Sequence, residues 1–153
     1  MRKILLTFFA AILCAASMTA QVDAPLTFEA TEAGATVTYT LNETAPIQYS
    51  LNGGAWTDYS AAITLANVGD KVSFRGSNNA YNQSNLEATF QCDKDCYIYG
   101  NIMSLVSATE YATATTLSEN NTFYRMFYNN THIKNHPSND LVLPATTLAK
   151  ECY

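Results

Sequence analysis

Four short segments between residues 35 and 76 alternate apolar with polar side chains, and that period of two demands extended strands with one buried and one wet face. In ATVTYTL (35–41), Val37, Tyr39 and Leu41 fall on one side and Thr36, Thr38 and Thr40 on the other. IQYSL (47–51) repeats the pattern through Ile47, Tyr49 and Leu51. NGG (52–54) and AWTDY (55–59) follow, a hairpin signal because glycine supplies the positive φ of a tight turn. AITLA (62–66) and KVSFRG (71–76) flank NVGD, a second turn, and LEATF (86–90) follows the polar loop SNNAYNQSN. Six or seven short strands separated by turns predict a mainly β fold, with an antiparallel, Ig-like β-sandwich over residues 22–92.

Residues 1–20 are set apart from that domain. MRKILLTFFAAILCAASMTAQ opens with Arg2 and Lys3, continues as an uncharged apolar run, and closes on small residues up to Ala20. This is the layout of a secretory signal, cut between Ala20 and Gln21. The apolar run is too short to cross ~30 Å of hydrocarbon, and no later stretch comes closer, so no transmembrane segment is expected after cleavage. Cys14 follows Leu13 rather than a small residue, which argues against a lipid-modified cysteine.

Removing Arg2 and Lys3 leaves six basic residues against 13 carboxylates, so the formal charge goes from −5 to −7. The six are Lys71, Arg75, Lys94, Arg125, Lys134 and Lys150, too scattered to track a phosphate backbone. Nucleic acid is excluded as a partner on that ground.

From Cys92 onward the pattern changes: long strands disappear, and Thr, Asn, Tyr and Phe dominate. ATTL occurs at 114–117 and again at 145–148. Aligning TFYRMFYNNTHI (122–133) with the last residues sets Thr122 opposite Cys152 and Phe123 opposite Tyr153, with a one-residue adjustment between the blocks. Self-similarity at such a period marks a repeat architecture, in which one turn buries its apolar side only against the next. Phe123, Met126, Phe127 and Ile133 are the expected buried side of one turn, and Leu141, Leu143, Leu148 and Cys152 that of the following one. LVLP (141–144) reads as a short strand stopped by Pro144.

LVLPATTLAKECY, TFYRMFYNNTHI and CYIYGNIMSL (96–105) together resemble the BspA-like leucine-rich repeat surface proteins of bacteria. The segment YSLNGGAWTDYSAAITLANVGDKVSFRG (49–76) is similar to the β-rich domain often found ahead of such repeats. The resemblance implies a strand ending in Leu-Pro, an Ala-Thr-Thr-Leu link and a helical turn carrying Met-Phe-Tyr in each repeat. It implies that residues 93–153 are the first, incomplete units of a leucine-rich-repeat solenoid. Full members carry many repeats and this chain about one and a half, so Tyr153 is expected to cut the array short. The implied function is adhesion to host or bacterial partners by an exported protein at the cell surface, secreted or periplasmic.

Few residues carry chemistry. Cys92 and Cys96 bracket DKD, a spacing that allows a disulfide closing a tight turn or two unpaired thiols. Cys152 reads as a small buried apolar residue. His132 and His136 lie four apart but have no intervening Glu and are followed by Pro137, which makes them loop histidines rather than zinc ligands. Asp93 and Asp95 lack the further oxygens of a calcium loop. No metal or cofactor is expected, and no nucleophile–base pairing, P-loop or catalytic carboxylate pair suggests an enzyme. Trp56 and Tyr59, joined by Tyr49, are the candidates for ligand stacking in the alternative reading, a carbohydrate-binding β-sandwich module. A core or rim role for Trp56 favours the adhesion reading.

Overall fold

The computed structural model describes residues 23–40, 45–82 and 88–153. The signal segment therefore lies outside the described residues, as do Leu41 and the first two residues of LEATF. In chain order the strands are β1 (Leu26–Ala30), β2 (Ala35–Tyr39), β3 (Ile47–Leu51), β4 (Thr57–Asp58), β5 (Ile63–Leu65) and β6 (Lys71–Gly76). They continue as β7 (Phe90–Cys92), β8 (Cys96–Asn101), β9 (Thr116–Leu117), β10 (Ile133–Asn135), β11 (Leu141–Val142) and β12 (Thr147–Leu148). A 3₁₀ turn follows β8 over Ile102–Leu105, with the Asn101 side chain accepting the Met103 amide at its start. The chain is mainly β, with several sheets and none closed. No helix among the described residues is long and apolar enough to cross a membrane.

The large sheet runs β10-β8-β1-β6-β3-β4, with β11 also on β8. Pairing is antiparallel from β8 through β4 and parallel where β10 and β11 join β8. A second sheet, β5-β2-β7, is antiparallel, and β12 lies parallel on β9. The large sheet thus takes β1, β3, β4 and β6 from before residue 92 and β8, β10 and β11 from after it. One buried cluster correspondingly extends from Leu26 to Cys152.

Alternation explains which side chains fill that cluster. Leu26 and Phe28 of β1, Val72 and Phe74 of β6, Val37 of β2 and Phe90 of β7 are all fully buried. Rings from the two sheets meet there: Phe90 lies 5.3 Å from Phe28, 4.8 Å from Phe74 and 5.0 Å from Tyr39. Burying each such ring contributes roughly 1.5–3 kcal/mol, and tilted or edge-on pairs add about 0.5–1.5 kcal/mol each. The Tyr39 hydroxyl donates to the Ala45 carbonyl at 3.1 Å, so its polar end is satisfied inside the core.

The hairpin signal at NGG is realised. Asn52 and Gly53 both have positive φ, 51° and 73°, and the Gly54 amide donates to the Leu51 carbonyl at 2.9 Å. NVGD is a turn too, closed by the Asp70 amide on the Asn67 carbonyl at 3.1 Å. It joins strands of different sheets, since β5 pairs with β2 and β6 with β1 and β3.

Three expectations need correction. Leu51 keeps its register opposite Val72, yet it is 40% exposed, because it ends β3 at the hairpin. Strand β7 starts at Phe90, the last residue of LEATF, and continues through Cys92. Long strands do not disappear after Cys92: β8 has six residues, as many as β6. Gly100 lets β8 pass β1's approach, for its φ is +87° and a Cβ there would stand 2.1 Å from the Pro25 carbonyl oxygen.

Candidate functional site

The repeated letters near the C-terminal end lie on one another. Strand β12 pairs with β9 so that Thr147 faces Thr116 and Leu148 faces Leu117, which sets the second ATTL beside the first. The ladder continues beyond the strands: Asn121 donates to the Lys150 carbonyl at 2.8 Å and Phe123 to the Cys152 carbonyl at 2.9 Å. The rings of Phe123 and Tyr153 stack at 5.9 Å.

Thr122 and Cys152 make the same local contact. The Thr122 hydroxyl donates to the Glu119 carbonyl at 2.8 Å, three residues back, and the Cys152 thiol to the Ala149 carbonyl at 3.1 Å, again three back. Both are buried. The residues before them, Asn121 and Glu151, both have positive φ, 59° and 55°. A left-handed residue followed by a small hydrogen-bonding side chain is therefore the local unit that recurs.

Two features of this segment depart from expectation. TFYRMFY is a chain of tight turns rather than a helical turn, with Met126 donating to Phe123 and Tyr128 to Arg125, and with positive φ at Asn121, Arg125 and Asn129. Phe123, Met126 and Cys152 are buried and Phe127, Ile133 and Leu141 partly so, but Leu143 and Leu148 are 48% and 52% exposed. Strand β12 has a partner on one side alone among the described residues, which leaves Leu148 uncovered.

Trp56 and Tyr59 do not form a strip. Tyr59 is buried, its hydroxyl accepts the Tyr39 amide at 2.8 Å, and its ring packs on Tyr39 and Phe74. Tyr49 faces the core side, opposite Phe74. Trp56 is half-buried on the other side of the sheet, where the Arg75 guanidinium carbon stands 4.3 Å above its ring.

Cys92 and Cys96 are both buried and lie against each other with their sulfurs unbonded. That contact and burial push the Cys92 thiol up, and the same contact holds Cys96 down. The turn between them is pinned at both carboxylates. Asp93 accepts the Thr36 amide at 2.6 Å, and Asp95 bonds His132 Nδ1 at 2.9 Å and lies 3.7 Å from Lys134 Nζ. The His132 contact, the largest influence on Asp95, keeps its carboxyl below its ordinary value.

A second polar array was not apparent from the sequence. Glu29 Oε2 accepts the Tyr99 hydroxyl at 3.2 Å and lies 3.4 Å from Lys71 Nζ and 3.9 Å from His136 Nε2. The His136 ring sits edge-on to Tyr97 and Tyr99, and its Nδ1 accepts the Ser138 and Asn139 amides, both at 3.0 Å. No group of three His, Cys, Asp or Glu residues able to hold a metal ion occurs among the described residues. Compared with known protein families, curated proteins and solved structures, the chain matches none.

Proposed function

We propose that the chain is a non-catalytic, exported surface protein that mediates protein–protein contact or host and bacterial adhesion through a leucine-rich-repeat solenoid. In this reading residues 93–153 are turns of a BspA-like repeat, and the Ig-like β-sandwich read over residues 22–92 carries them through the sheet and core that the two segments share. One observation supports it above the rest: ATTL lies in parallel register on ATTL, and Thr122 and Cys152 repeat one hydrogen-bond geometry. Stacked self-similar turns of this kind share a continuous core and offer an extended face to partners.

Two measurements test the reading. An extended form carrying two further copies of the repeat should bury Leu143 and Leu148 and slow tryptic cleavage after Lys134 and Lys150. Equal cleavage of both forms defeats the solenoid. Bacteria displaying the extended form should then bind epithelial cells or other bacteria better than cells displaying the unextended chain. No difference defeats adhesion while leaving the architecture standing.

A further inference from the structure

A cleft of about 290 Å³ opens where β3, β4 and the end of β6 meet, walled by Gln48, Asp58, Arg75 and Ser77, with Pro46 and Ala108 as its accessible apolar lining. Three of its polar side chains are linked in a row. Arg75 Nε donates to Gln48 Oε1 at 2.9 Å, and Gln48 Nε2 donates to Asp58 Oδ1 at 2.9 Å. The amide thus holds a cation and a carboxylate a fixed distance apart without letting them neutralise each other. Trp56 fixes the guanidinium plane from one face. Among the described residues the two terminal nitrogens of Arg75 and the second oxygen of Asp58 have no hydrogen-bond partner.

That arrangement selects a ligand class. The guanidinium offers donors only, and the carboxylate acceptors only. A carboxylate or phosphate ligand would satisfy Arg75 and be repelled by Asp58, an ammonium would do the reverse, and a small zwitterion such as glycine would meet both charges but leave the apolar lining uncovered. A hydroxyl both accepts and donates, so two neighbouring hydroxyls match the pair, while the C–H face of a ring suits Pro46 and Ala108. The volume lies at the small end of ligand pockets, which run from ~300 to 1,000 Å³. We infer that this cleft binds a one- or two-ring saccharide, with Arg75 and Asp58 taking vicinal hydroxyls, Gln48 setting their spacing and Trp56 positioning Arg75. The site takes only Ala108 from residues 93–153 and differs from an aromatic strip, since no ring stacks on the sugar.

Trp56 is the chain's single tryptophan, so its emission reports on the site directly. The full chain is titrated with D-glucose, D-galactose, D-mannose and N-acetyl-D-glucosamine to about 50 mM, because a few hydrogen bonds give affinities near millimolar. Saturation-transfer NMR is run in parallel, and propionate and inorganic phosphate serve as anionic probes. At least one sugar should bind, and Asp58→Asn and Arg75→Gln should each weaken it about tenfold or more, the loss expected when a hydrogen bond to a charged group goes. Asp58 is exposed, so Asp58→Asn should leave the thermal melt unchanged and keep the test valid if Arg75→Gln destabilises the fold. Three results overturn the proposal: no sugar of the set binds; a sugar binds equally well to Asp58→Asn; or propionate or phosphate binds in its place and binds more tightly to Asp58→Asn.

Discussion

Phe90 is the residue at which the two sheets and the C-terminal segment share one core, and Phe90→Ala measures that sharing. The ring is fully buried and touches Phe28, Phe74, Tyr39 and Phe127, the last at 6.2 Å. Truncating a buried Phe costs about 3–5 kcal/mol, at the upper end where neighbours cannot collapse into the space. Here they are strands of two sheets held by their own ladders, so about 4–5 kcal/mol is the expected loss. A domain of this size has only about 6–20 kcal/mol to lose, and its melting temperature should fall by roughly 10–20 °C. Phe90→Leu, which keeps most of the volume, should cost under about 1.5 kcal/mol. Urea melts supply the magnitude and amide exchange supplies the location. Protection should fall together in β2, β1 and β8, because all three border the same core. A loss confined to β2 and β7, or a melting shift below about 3 °C, would refute a core held in common.

Gly100→Ala should be among the most damaging single changes, on the order of 3 kcal/mol or more, since the new Cβ meets the Pro25 backbone at 2.1 Å and φ is +87°; thermal melts show it. Cys152→Thr should be tolerated within about 1 kcal/mol, because Thr122 already makes the same contact, whereas Thr122→Val should lose about 1 kcal/mol with its bond to Glu119; urea melts compare them. The Asp70 carboxylate is held below its ordinary value of 3.8 by the Asn67 amide first, with the Asn67 and Asn52 side chains helping. Its charged form is the one bonded in the fold, so its stabilisation is complete above 3.8 and is lost as pH falls below that value. The acid limb of a melting-temperature profile should therefore flatten in Asp70→Asn.

Much of the mainly β architecture was legible because alternation is a direct consequence of strand geometry. The central strand LTFEA has the same five residues as IQYSL and the same alternation, so its strand character was legible too; its place in the sheet was not, because that is set by partners far along the chain. In β8, Tyr97 and Tyr99 on one side and Ile98 and Cys96 on the other are all apolar or aromatic, so no contrast of period two marked it. Burial of Leu51, Leu143 and Leu148 was misjudged for one reason. Hydropathy shows which side chains can be covered, but a neighbouring strand decides whether they are. Parity could have separated Trp56 from Tyr59, since side chains three apart on a strand point to opposite faces. The Arg75–Gln48–Asp58 row needed the register of three strands, which no local pattern supplies. The correspondence of the two ATTL segments, in contrast, was legible, and they lie side by side in the fold.

Strand β1 also sets a clock. It pairs with β6 on one edge and β8 on the other, Thr27 facing Ser73 and Tyr99 respectively. During synthesis β6 is complete at Gly76, and β8 begins only after residues 77–95 have been added. At roughly 5–20 residues per second, that gap lasts about one to four seconds. Throughout it, one edge of β1 presents unpaired amides and carbonyls beside Leu26 and Phe28, a template on which another chain can pair. Until those 19 residues and β8 are in place, the open edge is a route by which nascent chains can be captured by chaperones or by one another, whatever the stability of the finished fold.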